Sequence, residues 1–275
     1  MDRRMLTPYG LTFNPFTPDV PVEALQVHPR LDQFCWRIEH GLIGEGGFAL
    51  VSGDPGTGKS VALRILAHRL DHLREVTVGV LTHPSSTLAD FYREMGDLFG
   101  VPLKPHNRWG GFKALRERWI KHLETTLTRP VLLIDEAQEA PVPVLNELRL
   151  MASHRFDSQM LIGVVLAGDS RLTQRLGRDE LLPLGSRVRI RLNTEYADTH
   201  QLMAALRHLL EAAGNPQLMT DALMTTLVEH AAGNYRVLTT LAAELLATAA
   251  RTKRDTLDEK LYFECFSTTP QRRSA

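Results

Sequence analysis

The chain has few cysteines, no net charge and no long apolar run. Its 275 residues include only Cys35 and Cys265, each within an apolar stretch, which favours two buried thiols over a disulfide or a metal site. No stretch approaches the roughly 18 uninterrupted apolar residues of a membrane span. The first nine residues carry Asp2, Arg3 and Arg4 without an apolar core, unlike a secretory signal. We therefore expect a soluble, cytoplasmic protein.

The balance of charge restricts how the chain can meet nucleic acid. It has 32 basic and 32 acidic residues, whereas a protein that binds nucleic acid through bulk charge is normally basic overall. Any such contact must come from a local patch, multiplied by assembly. A composition that is 43% hydrophobic and 23% charged is ordinary for a globular protein. The length allows one large domain and a smaller second one.

Apolar strands alternate with helices through the first two thirds of the chain. Short apolar runs predict buried strands at 48–52, 76–81, 131–134 and 161–167. Helical spacing predicts helices at 30–43, 60–73, 88–99, 112–127 and 142–153. This alternation is typical of an α/β fold in which a parallel sheet has helices on both faces.

The pattern changes near residue 192, where the predicted strands stop. Helical spacing continues at 200–213, 220–232 and 235–250, with Gly-Asn turns between these segments. We predict four parts: an N-terminal arm (1–30) that packs its aromatic residues onto the next domain, an α/β core (31–192), a small all-helical lid domain (193–252) and a flexible tail (253–275).

A phosphate-binding loop is the strongest motif. The segment Gly53-Asp-Pro-Gly-Thr-Gly-Lys-Ser60 fits G-x-x-x-x-G-K-[ST], and it follows a predicted strand and opens a predicted helix. Glycines let backbone N–H groups point at phosphates, and the helix N-terminus adds its dipole. Lys59 is expected to reach the β- and γ-phosphates, and the Ser60 hydroxyl to bind Mg²⁺. The predicted nucleotide-binding set is Gly53, Asp54, Pro55, Gly56, Thr57, Gly58, Lys59, Ser60 and Val61.

An acidic pair supplies the second half of the predicted site. Asp135 and Glu136 end the strand Val131-Leu-Leu-Ile134. Asp135 is expected to bind the Mg²⁺ shell, and Glu136 to polarise the attacking water. The alternative is a strand that ends in two solvated carboxylates. Two independent halves in the right order favour a hydrolytic ATP site.

The paired motifs, a third strand ending in Asp169 and a helical C-terminal domain together resemble AAA+ ATPases over about 30–250. The resemblance implies that Asp169 is the sensor-one residue, although Asn, Ser or Thr is more usual there. Arg187 resembles the arginine finger that reaches the γ-phosphate of a neighbouring subunit, with Arg178 and Arg189 as alternatives. Arg236 resembles the sensor-two arginine, with a structural salt bridge as the alternative.

The N-terminal region carries a narrower resemblance. Tyr9-Gly-Leu, Asn14-Pro-Phe16 and Gly47-Phe48 are similar to the ExeA-like and TnsC-like branch, which contains a general-secretion ATPase and transposon-associated ATPases. The resemblance implies that Asn14, Pro15 and Phe16 fold over the adenine edge; plain apolar anchoring by Phe13 and Phe16 is equally open.

Two members of that branch suggest different functions. The secretion ATPase continues into a membrane span and a wall-binding domain, whereas this chain ends soon after the helical domain. We therefore expect the transposon type, in which ATP drives assembly of a homo-oligomer, as a ring or helical filament, on duplex DNA with low sequence specificity, and the assembly recruits a transposase. The alternatives are a secretion-associated ATPase and a protein-remodelling module that does not bind DNA.

A local basic region supports the DNA hypothesis. Seven basic residues and two acidic ones lie between residues 102 and 129. The resemblance implies that this region faces DNA, and assembly would multiply the few phosphate contacts made by each neutral protomer. A solvated helix face is the alternative. The predicted phosphate contacts are Arg93, Lys104, Arg108 and Lys113.

Overall fold

A five-stranded parallel sheet is the framework of the larger part of the molecule. The computed structural model describes residues 6–103 and 107–266. Their contacts divide the chain into two units: an α/β unit, Val27–Glu195, and a helical unit that joins the described residues up to Gln26 to those from Tyr196 onward. The beginning and the end of the described chain therefore belong to one unit.

The strands of the α/β unit occur in two sheets. The main sheet has the order β2-β3-β6-β1-β7, and its strands are parallel. A separate antiparallel hairpin is formed by β4 and β5. The strand bounds are β1 Gly47–Gly53, β2 Val78–Leu81, β3 Val131–Ile134, β4 Ser153–His154, β5 Gln159–Met160, β6 Gly163–Gly168 and β7 Val188–Thr194.

Helices connect the strands and cover both faces of the sheet. A π-helical turn, Ile38–Leu42, joins the first two helices, and a 3₁₀ turn, Ala137–Glu139, follows β3. The helix bounds are α1 Pro29–Arg37, α2 Ile43–Glu45, α3 Lys59–Asp71, α4 Leu88–Phe99, α5 Arg108–Thr126, α6 Val142–Ala152, α7 Ser170–Leu176 and α8 Leu182–Gly185. The α/β fold class predicted from the alternation is confirmed.

The core explains why the inner strands have no polar alternation. Strands β3 and β6 are buried at every residue, because helices cover both faces of a parallel sheet. Trp119 of α5 and Phe91 of α4 are among the largest fully buried side chains, and both pack into the same cluster as β3 and β6. The unbroken apolar runs in the sequence are therefore the inner strands of this sheet.

Two strand features differ from the sequence prediction. β7 is an edge strand that pairs with β1, and its residues alternate between buried and exposed from Val188 to Leu192. A search for unbroken apolar runs passes over such a strand, and the two-residue strands of the β4–β5 hairpin are shorter than any strand pattern. The main sheet therefore extends to Thr194, past the predicted domain boundary at residue 192.

Helix α5 begins four residues earlier than the spacing predicts, and it includes Gly110 and Gly111. Asn107 caps it, because its side chain accepts a hydrogen bond from the Gly110 N–H. A Cβ on Gly111 would lie 2.9 Å from Cδ1 of Tyr92, so glycine is needed there for close packing of α5 on α4. The glycines thus indicate helix packing rather than a loop.

The described residues of the helical unit form four long helices, one more than the sequence predicts. They are α9 Thr199–Ala213, α10 Asp221–Ala231, α11 Tyr235–Thr252 and α12 Glu259–Phe266. The sequence predicts a flexible tail from residue 253, whereas α12 lies in that stretch and buries Leu261 and Tyr262. None of the helices in the described part of the chain is both long and apolar enough to span a membrane.

The N-terminal arm packs within the helical unit. Leu6, Tyr9, Leu11 and Phe16 are buried in one cluster with residues of α9 to α12. The Tyr9 hydroxyl donates a hydrogen bond to the Arg254 carbonyl over 2.8 Å. The sequence predicts that the arm packs its aromatic residues onto the domain that follows it, and the structure differs: the arm fills apolar space among the C-terminal helices.

Candidate active site

The carboxyl ends of three strands bring the predicted site residues to one edge of the sheet. Leu166 of β6 pairs with Leu50 of β1 on one side and with Ile134 of β3 on the other. Because the strands are parallel and in this register, the segments that follow them emerge together. Ligands of open α/β sheets bind at such an edge. The phosphate-binding loop, the acidic pair and Asp169 all lie there.

The loop after β1 is closed around its own lysine. Lys59 is buried, and its ammonium donates hydrogen bonds to the carbonyls of Gly53 over 2.9 Å and Asp54 over 3.0 Å. The Thr57 hydroxyl lies 2.7 Å from the Asp54 carbonyl oxygen and 2.7 Å from the Thr194 hydroxyl of β7. A buried cation at the start of a helix is suited to bind phosphate oxygens.

Two kinds of glycine shape this loop. Gly56 and Gly58 have φ of 85° and 100°, which L side chains rarely adopt. Gly53 has a different reason: a Cβ there would lie 2.1 Å from Oγ1 and 2.2 Å from the carbonyl oxygen of Thr194. The motif therefore encodes both the turn and its close contact with the edge strand β7.

The acidic pair follows β3 with an unusual backbone. Glu136 is exposed and has φ of 50°, in the left-handed region, and its N–H donates to Oδ1 of Asp135 over 2.9 Å. One carboxylate oxygen of Glu136, Oε2, accepts a hydrogen bond from Nε2 of buried Gln138. The Gln138 contact is absent from the sequence prediction, although its position two residues after Glu136 is a usable signal.

The donor set at this edge fits Mg²⁺. The ion usually takes one or two carboxylates and completes its shell with waters and substrate phosphates. Asp135 offers a carboxylate and Ser60 an exposed hydroxyl. Within residues 6–103 and 107–266, no group of three or more His, Cys, Asp or Glu side chains is arranged to hold a metal by itself. A magnesium ion here would depend on the nucleotide.

Comparison with known proteins agrees with this geometry. Residues 43–176 match the family described as AAA domain. Over 245 residues, 88% of this chain and 44% of the relative, the chain is 29% identical to general secretion pathway protein A of Aeromonas hydrophila. It thus spans less than half the length of that relative.

Solved structures share the fold of this chain, including the helices that follow the sheet. The Aeropyrum pernix ORC2 protein, in ADPNP–ADP complexes, matches with a TM-score of 0.74 at 16% identity over 93% of this chain and 71% of that chain. The Aeropyrum pernix ORC1 protein in complex with DNA matches with a TM-score of 0.67 at 18% identity over 92% and 68%. These likenesses show the P-loop AAA+ fold, with its helical C-terminal region.

Asp169 differs chemically from the neutral sensor residue usual in AAA+ proteins. Its carboxylate caps α7 by accepting from the Arg171 N–H over 2.9 Å, and it pairs with the Arg171 guanidinium over 2.8 Å. The hydrogen bond from the Arg171 side chain, with the positive charge of Lys59 adding to it, lowers the pKa of Asp169. An ionised carboxylate only accepts hydrogen bonds. Asp169 is therefore unsuited to donate to a γ-phosphate.

Arg187, the predicted arginine finger, is engaged within its own subunit. Its guanidinium donates to the Asp157 carboxylate and to the Pro183 carbonyl. Of the two alternatives, Arg189 lies 3.4 Å from the carboxylate of Glu45. Arg178 is exposed and forms no ion pair with any residue in the described ranges. A trans role of Arg187 would require the Asp157 contact to open.

Two predicted nucleotide contacts belong to the helical unit. Arg236 is exposed in the first turn of α11, and it forms no ion pair within the part of the chain that the structure describes. Among these residues, Arg236 therefore does not form the structural salt bridge that was the alternative to a sensor-two role. Pro15 and Phe16 are buried, and the Asn14 side chain accepts from the Phe16 N–H over 3.0 Å. Apolar anchoring thus accounts for Phe16, and the adenine contact stays a prediction.

Three of the four predicted DNA contacts, those within the described residues, have an acidic neighbour. Arg93 lies 2.8 Å from the carboxylate of Asp90, and Lys113 lies 3.7 Å from that of Glu117; all four side chains are largely exposed. Exposed pairs are weak, so these cations can exchange to phosphate. Lys104 lies outside the described residues.

Arg108 is bound more firmly than a surface contact requires. Its guanidinium makes two hydrogen bonds to the carboxylate of Glu147 on α6, which also accepts one from the Tyr92 hydroxyl. Glu147 is 3% exposed, so the pair compensates a buried charge. Burial, together with the Glu147 contact, raises the pKa of Tyr92. The structure therefore gives Arg108 an internal role that the charge pattern does not indicate.

Proposed function

We propose that this chain binds ATP with Mg²⁺ at the sheet edge and hydrolyses it to ADP and phosphate. The observation that carries the proposal is the arrival of Lys59 and the Asp135–Glu136 pair at one edge of one sheet. The likeness of the fold to a protein solved with ADPNP and ADP supports it. Mg²⁺, held by Ser60 and Asp135, would neutralise charge on the phosphates.

The residues divide the reaction between binding and chemistry. Lys59 leaves the loop carbonyls and binds phosphate oxygens, and the N–H groups of the loop and of α3 surround the phosphates. Glu136 accepts a proton from a water molecule, whose oxygen bonds to the γ-phosphorus as the bond from that phosphorus to the β–γ bridging oxygen breaks. ADP leaves with the bridging oxygen.

Two variants test the division. Lys59→Ala is expected to lose nucleotide binding, whereas Glu136→Gln should bind ATP normally and lose turnover by about 100-fold or more. Nucleotide affinity and phosphate release are measured on both. Hydrolysis by Glu136→Gln at the wild-type rate, or absence of hydrolysis in the wild type with and without duplex DNA, would contradict the proposal.

We further propose that ATP binding assembles the chain on duplex DNA to regulate transposition, with a transposase as its partner. The exposed cations Arg93 and Lys113 support DNA contact because their acidic partners hold them weakly. The likeness to the ORC1 protein solved in complex with DNA is compatible with it. Binding to duplex DNA with a slowly hydrolysed ATP analogue at low salt is the test. Absence of binding would sink the idea.

A secretion-associated ATPase is the second candidate. The identity with general secretion pathway protein A, 29% over 88% of this chain, favours it. This candidate predicts nucleotide-dependent assembly that duplex DNA does not promote. Added salt should not weaken that assembly as it weakens contacts with DNA phosphates. A light-scattering assay of assembly, with and without DNA, separates this candidate and a general protein-remodelling module from the DNA-binding function.

A further inference from the structure

Gln138 is a buried polar side chain that joins two parts of the α/β unit. Its Nε2 donates to Oε2 of Glu136, and its Oε1 accepts a hydrogen bond from the Asp169 N–H over 3.3 Å. If the amide were turned over, its NH₂ group would face the Asp169 N–H and its oxygen would face the Glu136 carboxylate. Both contacts would be repulsive, so the two partners together fix the orientation of the amide. The side chain thus spans the ends of β3 and β6.

The surroundings of Gln138 hold it in this place. A Cβ on Gly168 would lie 2.5 Å from Oε1 of Gln138, so the glycine at the end of β6 leaves the space that the amide fills. Arg175 of α7 donates to the Gln138 carbonyl and, over 2.7 Å, to that of Ala140. Backbone and side chain of the 3₁₀ turn are therefore both fixed.

The carboxylate that Gln138 contacts has little other restraint. Glu136 is exposed, and its left-handed backbone is held through its own N–H rather than through its side chain. A free glutamate side chain samples several rotamers, and each misplaced rotamer is unproductive for proton transfer. One hydrogen bond from a buried, fixed amide restricts that sampling.

We propose that Gln138 is a positioning residue for Glu136 in ATP hydrolysis; this inference rests on the hydrolytic function proposed above. Its amide holds Oε2 and leaves Oε1 of Glu136 to accept the proton of the attacking water. Because the same amide accepts from the Asp169 N–H, a shift at the end of β6 moves the carboxylate with it. The sequence Asp135-Glu-Ala-Gln138 is in this view one functional segment.

Gln138→Met tests the proposal, because methionine has similar length and volume and forms neither hydrogen bond. We expect kcat to fall by about tenfold to 100-fold, with KM and nucleotide affinity within about twofold of wild type. In the Glu136→Gln background, single-turnover rates should show no further loss. Gln201→Ala, which removes a glutamine hydrogen bond from the cap of α9, is the control for stability alone.

A second variant moves the amide without deleting it. Gly168→Ala places a methyl group 2.5 Å from Oε1 of Gln138 and 2.8 Å from Cδ2 of Leu172, and it should lower kcat in the same way. Wild-type kcat in a folded Gln138→Met, a rise in KM alone, or a loss that adds fully to that of Glu136→Gln would overturn the proposal. Lack of hydrolysis by the wild type would instead overturn the hydrolytic function, and the inference with it.

Discussion

Burial sets the chemistry of the two thiols at the scale of single residues. Cys35 lies fully buried on α1, and Cys265 is partly buried on α12. Burial raises the pKa of the Cys35 thiol from its ordinary value of 9.0 to about 11. At neutral pH the Cys35 thiol is therefore protonated, and the thiolate is the reactive species.

We predict that an aromatic disulfide reagent modifies Cys265 but not Cys35 in the native protein at pH 8, and both after unfolding. Folding raises the pKa of Cys35, so below about pH 9 its thiol is neutral in both the folded and the unfolded chain. The free energy of unfolding falls as the pH rises from about 9 toward about 11, because the unfolded chain loses this proton first. Absorbance of the released thiolate counts the groups. Cys265→Ser should leave no fast-reacting thiol; a fast phase in that variant would contradict the assignment.

The residues of the phosphate loop were predictable because phosphate binding imposes a local sequence. Gly56, Gly58 and Lys59 stand within four positions, and each is needed for the loop conformation or its charge. Contacts between distant positions carry no such signal. Arg187 pairs with a residue 30 positions away, and Arg108 with one 39 positions away. Only tertiary structure brings these partners together.

The same distinction holds for whole elements. Inner strands such as β3 are continuous apolar runs, and the sequence predicts the bounds of β3 as the structure has them. The edge strand β7 and helix α12 are amphipathic and owe their stability to the surface each covers. The sequence predicts neither, since propensity alone does not specify a short amphipathic segment.

At the scale of elements, the β4–β5 hairpin restrains Arg187. Its turn residues Arg155, Phe156 and Asp157 have φ of 48°, 57° and 65°, a conformation that non-glycine residues adopt at a cost. Hydrogen bonds from Ser153 and Arg187 lower the pKa of Asp157, so its carboxylate is ionised at neutral pH. The hairpin therefore presents a charge that keeps the predicted finger in its own subunit.

We predict that Asp157→Asn raises ATP turnover at low protein concentration, because asparagine tolerates the left-handed turn and removes the charge that holds Arg187. The dependence of turnover on protein concentration is the measurement. Asp179→Asn, another exposed aspartate of the α/β unit, is the control. If turnover is unchanged and only the melting temperature falls, the Arg187–Asp157 pair is structural.

Helices α4, α5 and α6 meet at the buried carboxylate of Glu147, and this contact makes a further prediction. Arg108→Ala should lower the free energy of unfolding by about 1–3 kcal/mol, because it leaves a buried charge with Tyr92 alone. Adding Glu147→Gln should recover part of the loss. Urea unfolding measures both variants.

Lys113→Ala is the matched control, since its partner Glu117 is exposed, and it should change stability by less than about 0.5 kcal/mol. Equal stability of Arg108→Ala and Lys113→Ala would contradict the internal role of Arg108. Lys113 is accordingly the better position at which to probe DNA binding, because a loss of affinity there would not reflect a loss of folding.

At the scale of the whole molecule, the prediction concerns sharing of the site between copies. If Arg187 completes the site of a neighbour, the contact is head-to-tail, and each active interface needs Glu136 from one copy and Arg187 from the next. Glu136→Gln and Arg187→Ala should each be inactive. An equal mixture should regain about one quarter of wild-type turnover, the fraction of interfaces that pair two intact groups.

Phosphate release from the mixture, at a protein concentration that supports assembly, is the measurement. Mixing Lys59→Ala with Glu136→Gln is the control, because both changes affect the same half of the site. Each Glu136→Gln copy lacks the water-activating carboxylate and each Lys59→Ala copy lacks the phosphate-binding ammonium, so no interface in that mixture is complete. Recovery in the Arg187 mixture alone would support a shared site. Recovery in neither mixture would mean that Arg187 acts within its own chain, where Asp157 and Pro183 already hold it, and equal recovery in both would mean that the recovered turnover does not come from pairing of Arg187 with a neighbour's site.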